Sequence, residues 1–372
     1  MSKCLCLDGH RFSEIASELD VLAQQIPHTV HQRADWYQAY VDVCGLQDKT
    51  QVLHIFDSVS ARTFGILPLQ LEPYRGTRFW SMRKLVPLAQ GPSDFVNLLI
   101  EPQREVEFAE SMACWLQKNN RLWEQLQLSY IPESSAGWQE LCDALERKGF
   151  SVSISRERRF YKIDTTENWD DYYSAYLHKK LADMRNRRNR LKRDGIETKI
   201  VTVTQGIERY LPHLFETYHK RRQELNQSYA TSSPVMKRFL TKVIQQYERS
   251  GNVVLSILQT ASGVPMAYQL DWLCDGVRYH YKPTFDEQFE QYSPSKILLF
   301  ETIKECFEHP DIREFNFMRG ESSYKTQFTD QSEGYISLSV VNPWSLRYRG
   351  TVLASHLVRL RERFWRGERT RE

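Results

Sequence analysis

The sequence predicts an α/β (α+β) protein of two tandem units, each a mixed and mainly antiparallel sheet flanked by helices. Three observations carry this expectation. Strand-like and helix-like periodicities alternate along the chain, with enough hairpins to argue against an all-parallel sheet. The same order of elements occurs twice. The length of 372 residues suits two or three domains, or one doubled unit.

Element by element, the spacing of Phe12, Ile15, Leu19 and Leu22 predicts a helix, and another follows over 36–44. QVLHIF (51–56) and TFGILPLQL (63–71) read as a hairpin, and FVNLLI (95–100) as a third strand. A helix at 105–118, a strand at 123–131, a helix at 137–148 closed by Gly149 and an extended stretch at 151–163 complete the first run. The second run has a helix at 235–247 and strands at 252–259, 264–273 and 276–285. It continues with a helix at 294–307 and strands at 312–318 and 334–341. A shift of 202 positions lays Val52, Leu53 and Ile55 on Val254, Leu255 and Ile257, and Gly65 on Ala267.

Composition excludes several classes. Hydrophobic residues at 41% and aromatics at 12% suffice for a core, which excludes wholesale disorder. No apolar run approaches the roughly 18 residues of a membrane span. The start of the sequence lacks the apolar region of a cleaved signal, so none is expected. The seven cysteines are odd in number and form no CxxC pair, which argues against a disulfide framework and against a zinc site. A cytoplasmic protein without a metal is the expectation.

The net charge of +3 conceals two basic segments. KKLADMRNRRNRLKR (179–193) holds eight cations and one acid, in a helical pattern ending at Asp194-Gly195. Residues 347–372 hold eight arginines and three glutamates around an amphipathic pattern. The first segment is either a solvated face or an anion surface, with Arg185 and Arg188 as contacts. The second suggests a helix docked on the body or peripheral contact with anionic lipid at the inner face of the membrane.

No GxGxxG, GxxxxGK[ST] or HExxH motif is present. The informative stretch is 276–329. Ser293 suits a helix N-cap and Pro294 the first helical position, so the amides that follow could hold an anion. A strand ends at Met318 and leads directly into Arg319, Gly320, Glu321, Tyr324 and Lys325. Polar residues at such a strand end often face a site. Here Tyr324 is a possible proton donor. Arg319, Glu321 and Lys325 are possible substrate or anion contacts.

Three signatures, RNRRNRLKRDG, FDEQFEQYSPSKILLF and FNFMRGESSYKTQF, resemble the CelD/BioF2-like acetyltransferase domain of the GNAT superfamily. The resemblance spans Trp169 to Val341. The N-terminal half looks like a degenerate second GNAT fold, as in Fem-type aminoacyltransferases. It implies a degenerate unit over 1–163, an acyltransferase unit over 164–345 and a basic tail over 346–372. It further implies that acetyl-CoA or another acyl-CoA lays its pyrophosphate on the amides near Ser293, Ser295 and Lys296, with Gln288 or Gln291 in the loop. The acyl group would pass to an amine, on an amino sugar or an envelope or exopolysaccharide precursor. Tyr324 would protonate the departing thiolate, and Asp271 or His280 would accept the amine's proton. The family usually has Gly where Ser295 stands. Two alternatives follow: Fem-like aminoacyl transfer from tRNA, with the basic helix on RNA phosphates, and a non-catalytic protein docking on a polyanion or membrane.

Overall fold

The computed structural model describes residues 2–26, 28–74, 81–177, 182–224 and 233–350. Thirteen strands are described: β1 (Ser2–Leu7), β2 (Thr50–Asp57), β3 (Thr63–Tyr74), β4 (Met82–Pro87), β5 (Leu99–Ile100), β6 (Gln125–Pro132), β7 (Ser151–Asp164), β8 (Thr198–Val203), β9 (Val253–Thr260), β10 (Pro265–Cys274), β11 (Val277–Phe285), β12 (Glu314–Asn316) and β13 (Ser332–Val341). The helices are α1 (Ala16–Ala23), α2 (Ala34–Cys44), α3 (Glu105–Lys118), α4 (Trp138–Arg147), α5 (Trp169–Tyr172), α6 (Ala182–Arg193), α7 (Leu211–Glu224), α8 (Pro234–Ser250) and α9 (Pro294–Glu308).

All strands join one sheet in the order β1-β2-β3-β4-β6-β13-β7-β12-β11-β10-β9-β8, with β5 added on β3. This order is nearly palindromic. In each half an edge strand and a hairpin pair antiparallel, and the next pair, β4 with β6 or β11 with β12, is parallel. At the centre β13 pairs with β6, β7 pairs with β12, and β13 and β7 pair with each other. The last described strand, β13, therefore extends the first half's sheet, and the two predicted sheets are continuous.

Local sequence explains the stronger elements. In α8, Met236, Phe239, Leu240, Val243, Ile244 and Tyr247 are buried, a single apolar face at helical spacing. Ser233 caps its start by accepting from the Met236 N–H, Pro294's counterpart here is Pro234 at the first helical position, and Gly251 at φ 71° ends it. Several expectations need correction. The third strand of the first half shortens to Leu99–Ile100, and 312–318 shortens to Glu314–Asn316. The first helix splits into a 3-10 turn at Gly9–Glu14 and α1. Edge strands β1 and β8 and the strand β4 were not anticipated, because β8 is mostly exposed and β4 carries Arg83, Lys84 and Pro87.

Three cores result. One is apolar and lies in the first half around Phe64, Phe108 and Leu128. A second lies in the second half around Leu298, Phe315 and Phe328. The third joins the halves. At its centre the fully buried Trp36 has ring contacts to Phe239 at 5.0 Å, Trp272 at 5.9 Å and Tyr281 at 6.4 Å. Among the described residues no helix is long and apolar enough to cross a membrane. Residues 351–372 of the basic tail lie outside the described residues, as do 179–181 of the first basic run.

Candidate functional site at the junction of β11 and α9

Strands β11 and β12 are parallel partners only over Val277–Tyr279 and Glu314–Asn316. Beyond them β12 ends, and Met318 adopts φ 57° to turn the chain away. β11 runs on to Phe285, so its last six residues have no β12 partner. Its register against β10 also shifts, with Leu270 facing Lys282 but Asp271 facing His280, which leaves Tyr281 as the extra residue of a bulge. Such a bulge re-aims the side chains that follow it.

Before the bulge, β11 points toward α9. The carboxylate of Asp271 is fully buried and accepts from Arg278 Nε at 2.7 Å and Gln269 Nε2 at 2.7 Å, with His280 Nδ1 at 3.4 Å. Arg278 also donates to Glu305 of α9 at 2.8 Å and to Ser256 at 2.9 Å. Burial alone would raise the Asp271 carboxyl, but the Arg278 guanidinium, His280 and Gln269 together hold it below the ordinary range. Asp271 and His280 thus sit in a closed network beneath α9, with the His280 ring 5.7 Å from Phe315.

After the bulge, Lys282 Nζ lies 4.1 Å from the Tyr281 ring and 5.5 Å from that of Tyr218. Thr284 Oγ1 is buried without a hydrogen-bond partner among the described residues. Between β11 and α9, Asp286 caps a 3-10 turn and also binds the Gln288 side chain. Ser293 occupies the capping position of α9, but its φ is 50° and its side chain caps nothing. Its hydroxyl instead accepts from Arg187 of α6. This corrects the expected capping role. Because Pro294 has no N–H and the Ser295 N–H has no preceding helical carbonyl, the start of α9 keeps donor capacity. No acidic residue lies in its first turn.

The basic helix α6 docks on this junction. Arg190 reaches the Gln291 carbonyl at 3.4 Å and its Oε1 at 3.5 Å, and Arg188 pairs with Glu301 of α9. Arg185 is exposed. Lys296 Nζ donates to Gln327 Oε1 at 2.9 Å. A cavity of about 820 Å³ opens here, lined by Arg188, Lys192, Ile297 and Glu301 among others.

The turn after β12 holds a second cluster. Lys325 is buried, and its ammonium donates to the carbonyls of Phe317, Met318 and Arg319 at 2.9, 3.0 and 3.0 Å. Burial lowers it to about 8, against the pull of Asp94, with Arg319 adding to the lowering. Lys325 is therefore a turn clamp rather than an exposed contact. Glu321 is exposed and accepts from the Arg159 N–H at 2.9 Å. Tyr324 is half-buried, its ring 6.3 Å from Phe317, and a 3-10 turn at Lys325–Gln327 follows it.

Across from this turn stands the first half. Arg319 pairs with Asp94 at 3.3 Å and covers the Tyr130 ring at 4.1 Å. Burial raises the Asp94 carboxyl although Arg319, Lys282 and Lys325 oppose the shift. The Asp94 N–H donates to His31 Nδ1 at 3.4 Å, so the proton of the neutral ring sits on Nε2, a buried donor without a partner. Burial and the charges of Lys282 and Arg319 lower His31 to about 3. Sequence reasoning missed Asp94, His31 and Lys282. No local motif marks them, because the fold alone brings them to Arg319.

Residues 178–326 match a family described as an acetyltransferase (GNAT) domain. No curated protein matches the chain. Among solved structures, FemX is similar with a TM-score of 0.59 at 8% identity, covering 88% of this chain and 96% of FemX. A conserved protein of unknown function from Bacteroides thetaiotaomicron gives 0.55 at 12% identity, over 88% and 97% of the two chains. L-PGS from Bacillus licheniformis gives 0.51 at 12% identity, over 92% and 96%. The chain as a whole therefore shares the fold of FemX, and its residues 178–326 are similar to a GNAT acetyltransferase domain.

Proposed function

We propose that the protein is an acyltransferase that moves an acyl group from acyl-CoA to an amine. The observation that carries the reading is the start of α9. The Ser295 N–H is left over there, the first turn carries no acidic residue, and Arg187 and Arg190 reach Ser293 and Gln291 beside it, which suits a pyrophosphate. The unpartnered hydroxyl of Thr284 at the end of β11 supports a ligand beside it. The thioester would lie along the part of β11 that β12 leaves, where backbone N–H groups could polarise its carbonyl.

In this reading Asp94 takes the role first assigned to Asp271 or His280. It is within reach of solvent, whereas those two are enclosed. A carboxyl raised by burial is a better base near neutral pH than an ordinary one. The amine attacks the thioester carbonyl, its proton passes to Asp94, and Tyr324 protonates the leaving thiolate. Arg319 and Lys282 make the surroundings cationic, which suits an acceptor bearing an anionic group, such as an envelope-precursor amino sugar. Asp94→Asn is expected to lower kcat about a hundredfold or more with KM little changed. An acyl-CoA consumption assay over a panel of amino sugars tests the reading. No turnover with any amine overturns it, and unchanged kcat in Asp94→Asn overturns the assigned base.

The tRNA alternative needs the cations of α6 to face outward. Arg185, Lys192 and Arg193 are exposed, but Arg187, Arg188 and Arg190 also engage Ser293, Glu301 and Gln291, which favours a compact anionic donor at the α9 junction over an RNA backbone. A cytoplasmic location and a membrane role for residues 346–372 remain parts of the proposal that segment deletion and liposome flotation test.

A further inference from the structure

A second reactive constellation lies on the seam between the halves, at the turn from β10 to β11. Asp275 and Gly276 adopt φ 48° and 74°, the paired left-handed conformation that suits an Asp-Gly hairpin turn. The turn holds Cys274 and Asp275 against His28 of the first half. His28 Nε2 is 3.5 Å from Cys274 Sγ, and His28 Nδ1 is 3.0 Å from Asp275 Oδ2. Nδ1 also lies 3.2 Å from the Ile26 carbonyl, which can only accept. The Nδ1 atom must then carry the proton, and Nε2 presents its lone pair to the thiol. Thiol, imidazole and carboxylate stand in line, with Cys274 and His28 buried and Asp275 exposed.

This alignment favours a proton relay over a single bound cation. The carboxylate and the sulfur contact opposite nitrogens of one ring, so although ligand atoms of the three residues lie within 4.8 Å of one another, the contacts as they stand run through the imidazole as a relay. A cation also stands near the sulfur. Arg33 donates to Asn252 Oδ1 at 2.9 Å through one terminal nitrogen, while its buried Nε has no hydrogen-bond partner among the described residues. Burial, with Asp275, raises the Cys274 thiol to about 12 and Arg33 opposes that shift, so the resting group is a protonated thiol. Such a thiol reacts only if a base removes its proton during attack, which is the position His28 holds. A cavity of about 210 Å³, lined by Cys274, Asp275, Asn252 and His309 among others, gives a small molecule room beside the sulfur.

We propose that Cys274, His28 and Asp275 form a second, thiol-dependent site that accepts small acyl groups from carboxylic esters or thioesters. Cys274 Sγ attacks the ester carbonyl as its proton passes to His28 Nε2. The S–C bond forms, the ester C–O bond breaks, and the alcohol leaves with the proton from His28. Water then attacks the acyl-cysteine, again losing a proton to His28, and releases the acid while the thiol is restored. Arg33 Nε is the candidate donor to the oxyanion in both steps. His28 and Asp275 also border the cleft of about 880 Å³ between the halves. The site does not depend on the acyl-CoA reading of the α9 junction.

The full chain treated with p-nitrophenyl acetate tests the proposal. The expected result is a stoichiometric burst of p-nitrophenolate, with acetyl found by peptide mass spectrometry on Cys274 rather than on the more accessible Cys4, Cys6, Cys44 or Cys114. His28→Gln should slow the burst about a hundredfold, and Cys274→Ala, checked for a native melting temperature, should abolish it. If Cys274→Ala fails to fold, the acetyl map of the wild-type chain decides by itself. Acetyl on the accessible cysteines with Cys274 unmodified, or an undiminished burst in His28→Gln, overturns the proposal. Because this probe contains no CoA, either result leaves the reading of the α9 junction to its own assay.

Discussion

Helices α3 and α9 hold matching places in the two halves, each leading into the last strand of a parallel pair, yet their first turns differ in charge. Glu105 and Glu107 open α3, whereas Pro294, Ser295 and Lys296 open α9. An anion at the start of α3 would meet two carboxylates, and at the start of α9 the Ser295 amide and the arginines of α6. The layers beneath these helices differ as well. Phe108 of α3 packs on Phe64 and Leu128, an apolar face. Under α9 lies the closed network of Asp271, Arg278, His280 and Gln269, which Thr302 of α9 joins. One backbone plan thus serves two ends. The first half is a hydrophobic support that lends Asp94 and His31 to its partner, and the second half holds the polar machinery.

The sharpest way to break this contrast is to open the buried network. Arg278→Ala leaves the buried Asp271 without its guanidinium partner inside the second half and is expected to lower stability by about 3–5 kcal/mol in urea unfolding. A loss within the range of a surface substitution would mean that the network is not closed.

The doubling itself was legible in the sequence because hairpins β2–β3 and β9–β10 keep their alternation under a constant shift. The exchange of β7 and β13 across the centre was not. Both strands read equally well as the last strand of either half, and pairing partners follow from tertiary packing rather than from local pattern. At the site, the α9 junction was marked by its Ser-Pro start and the basic run before it. Asp271 and His280 also carried a visible signal, as polar residues in apolar strands, but that signal could not tell a closed ion pair from a base. Asp94 lay in a loop with no periodicity to mark it.

A smaller effect tests the hydrophobic half. A Cβ added to Gly65 would meet Phe108 Cδ2 at 2.4 Å, so Gly65→Ala is expected to destabilise by about 1–3 kcal/mol. At the matching position, Ala267→Gly is expected to cost about 0.5–1 kcal/mol. Equal effects in thermal melts of the two variants would remove this distinction between the halves.

The smallest effect concerns pH. Lys325 titrates near 8 in the fold, below the ordinary lysine value, so from about pH 8 to 10 the unfolded chain binds the more protons at this site. This group's contribution to stability therefore rises with pH across that window. Melting curves of wild type and Lys325→Met should draw apart in favour of wild type as pH rises from 8 to 10. A constant gap would show that the ammonium stays charged throughout, held by its three carbonyl acceptors.

The central claim is that the start of α9 is the anion site and the start of α3 is not. Titration calorimetry with acetyl-CoA tests it most directly. The account predicts one site per chain, weakened roughly three- to tenfold by Ser295→Glu, which gives α9 an acidic first turn like that of α3. Glu107→Gln should leave the affinity unchanged. Equal affinity in Ser295→Glu and wild type, or no binding by the wild-type chain, would contradict it.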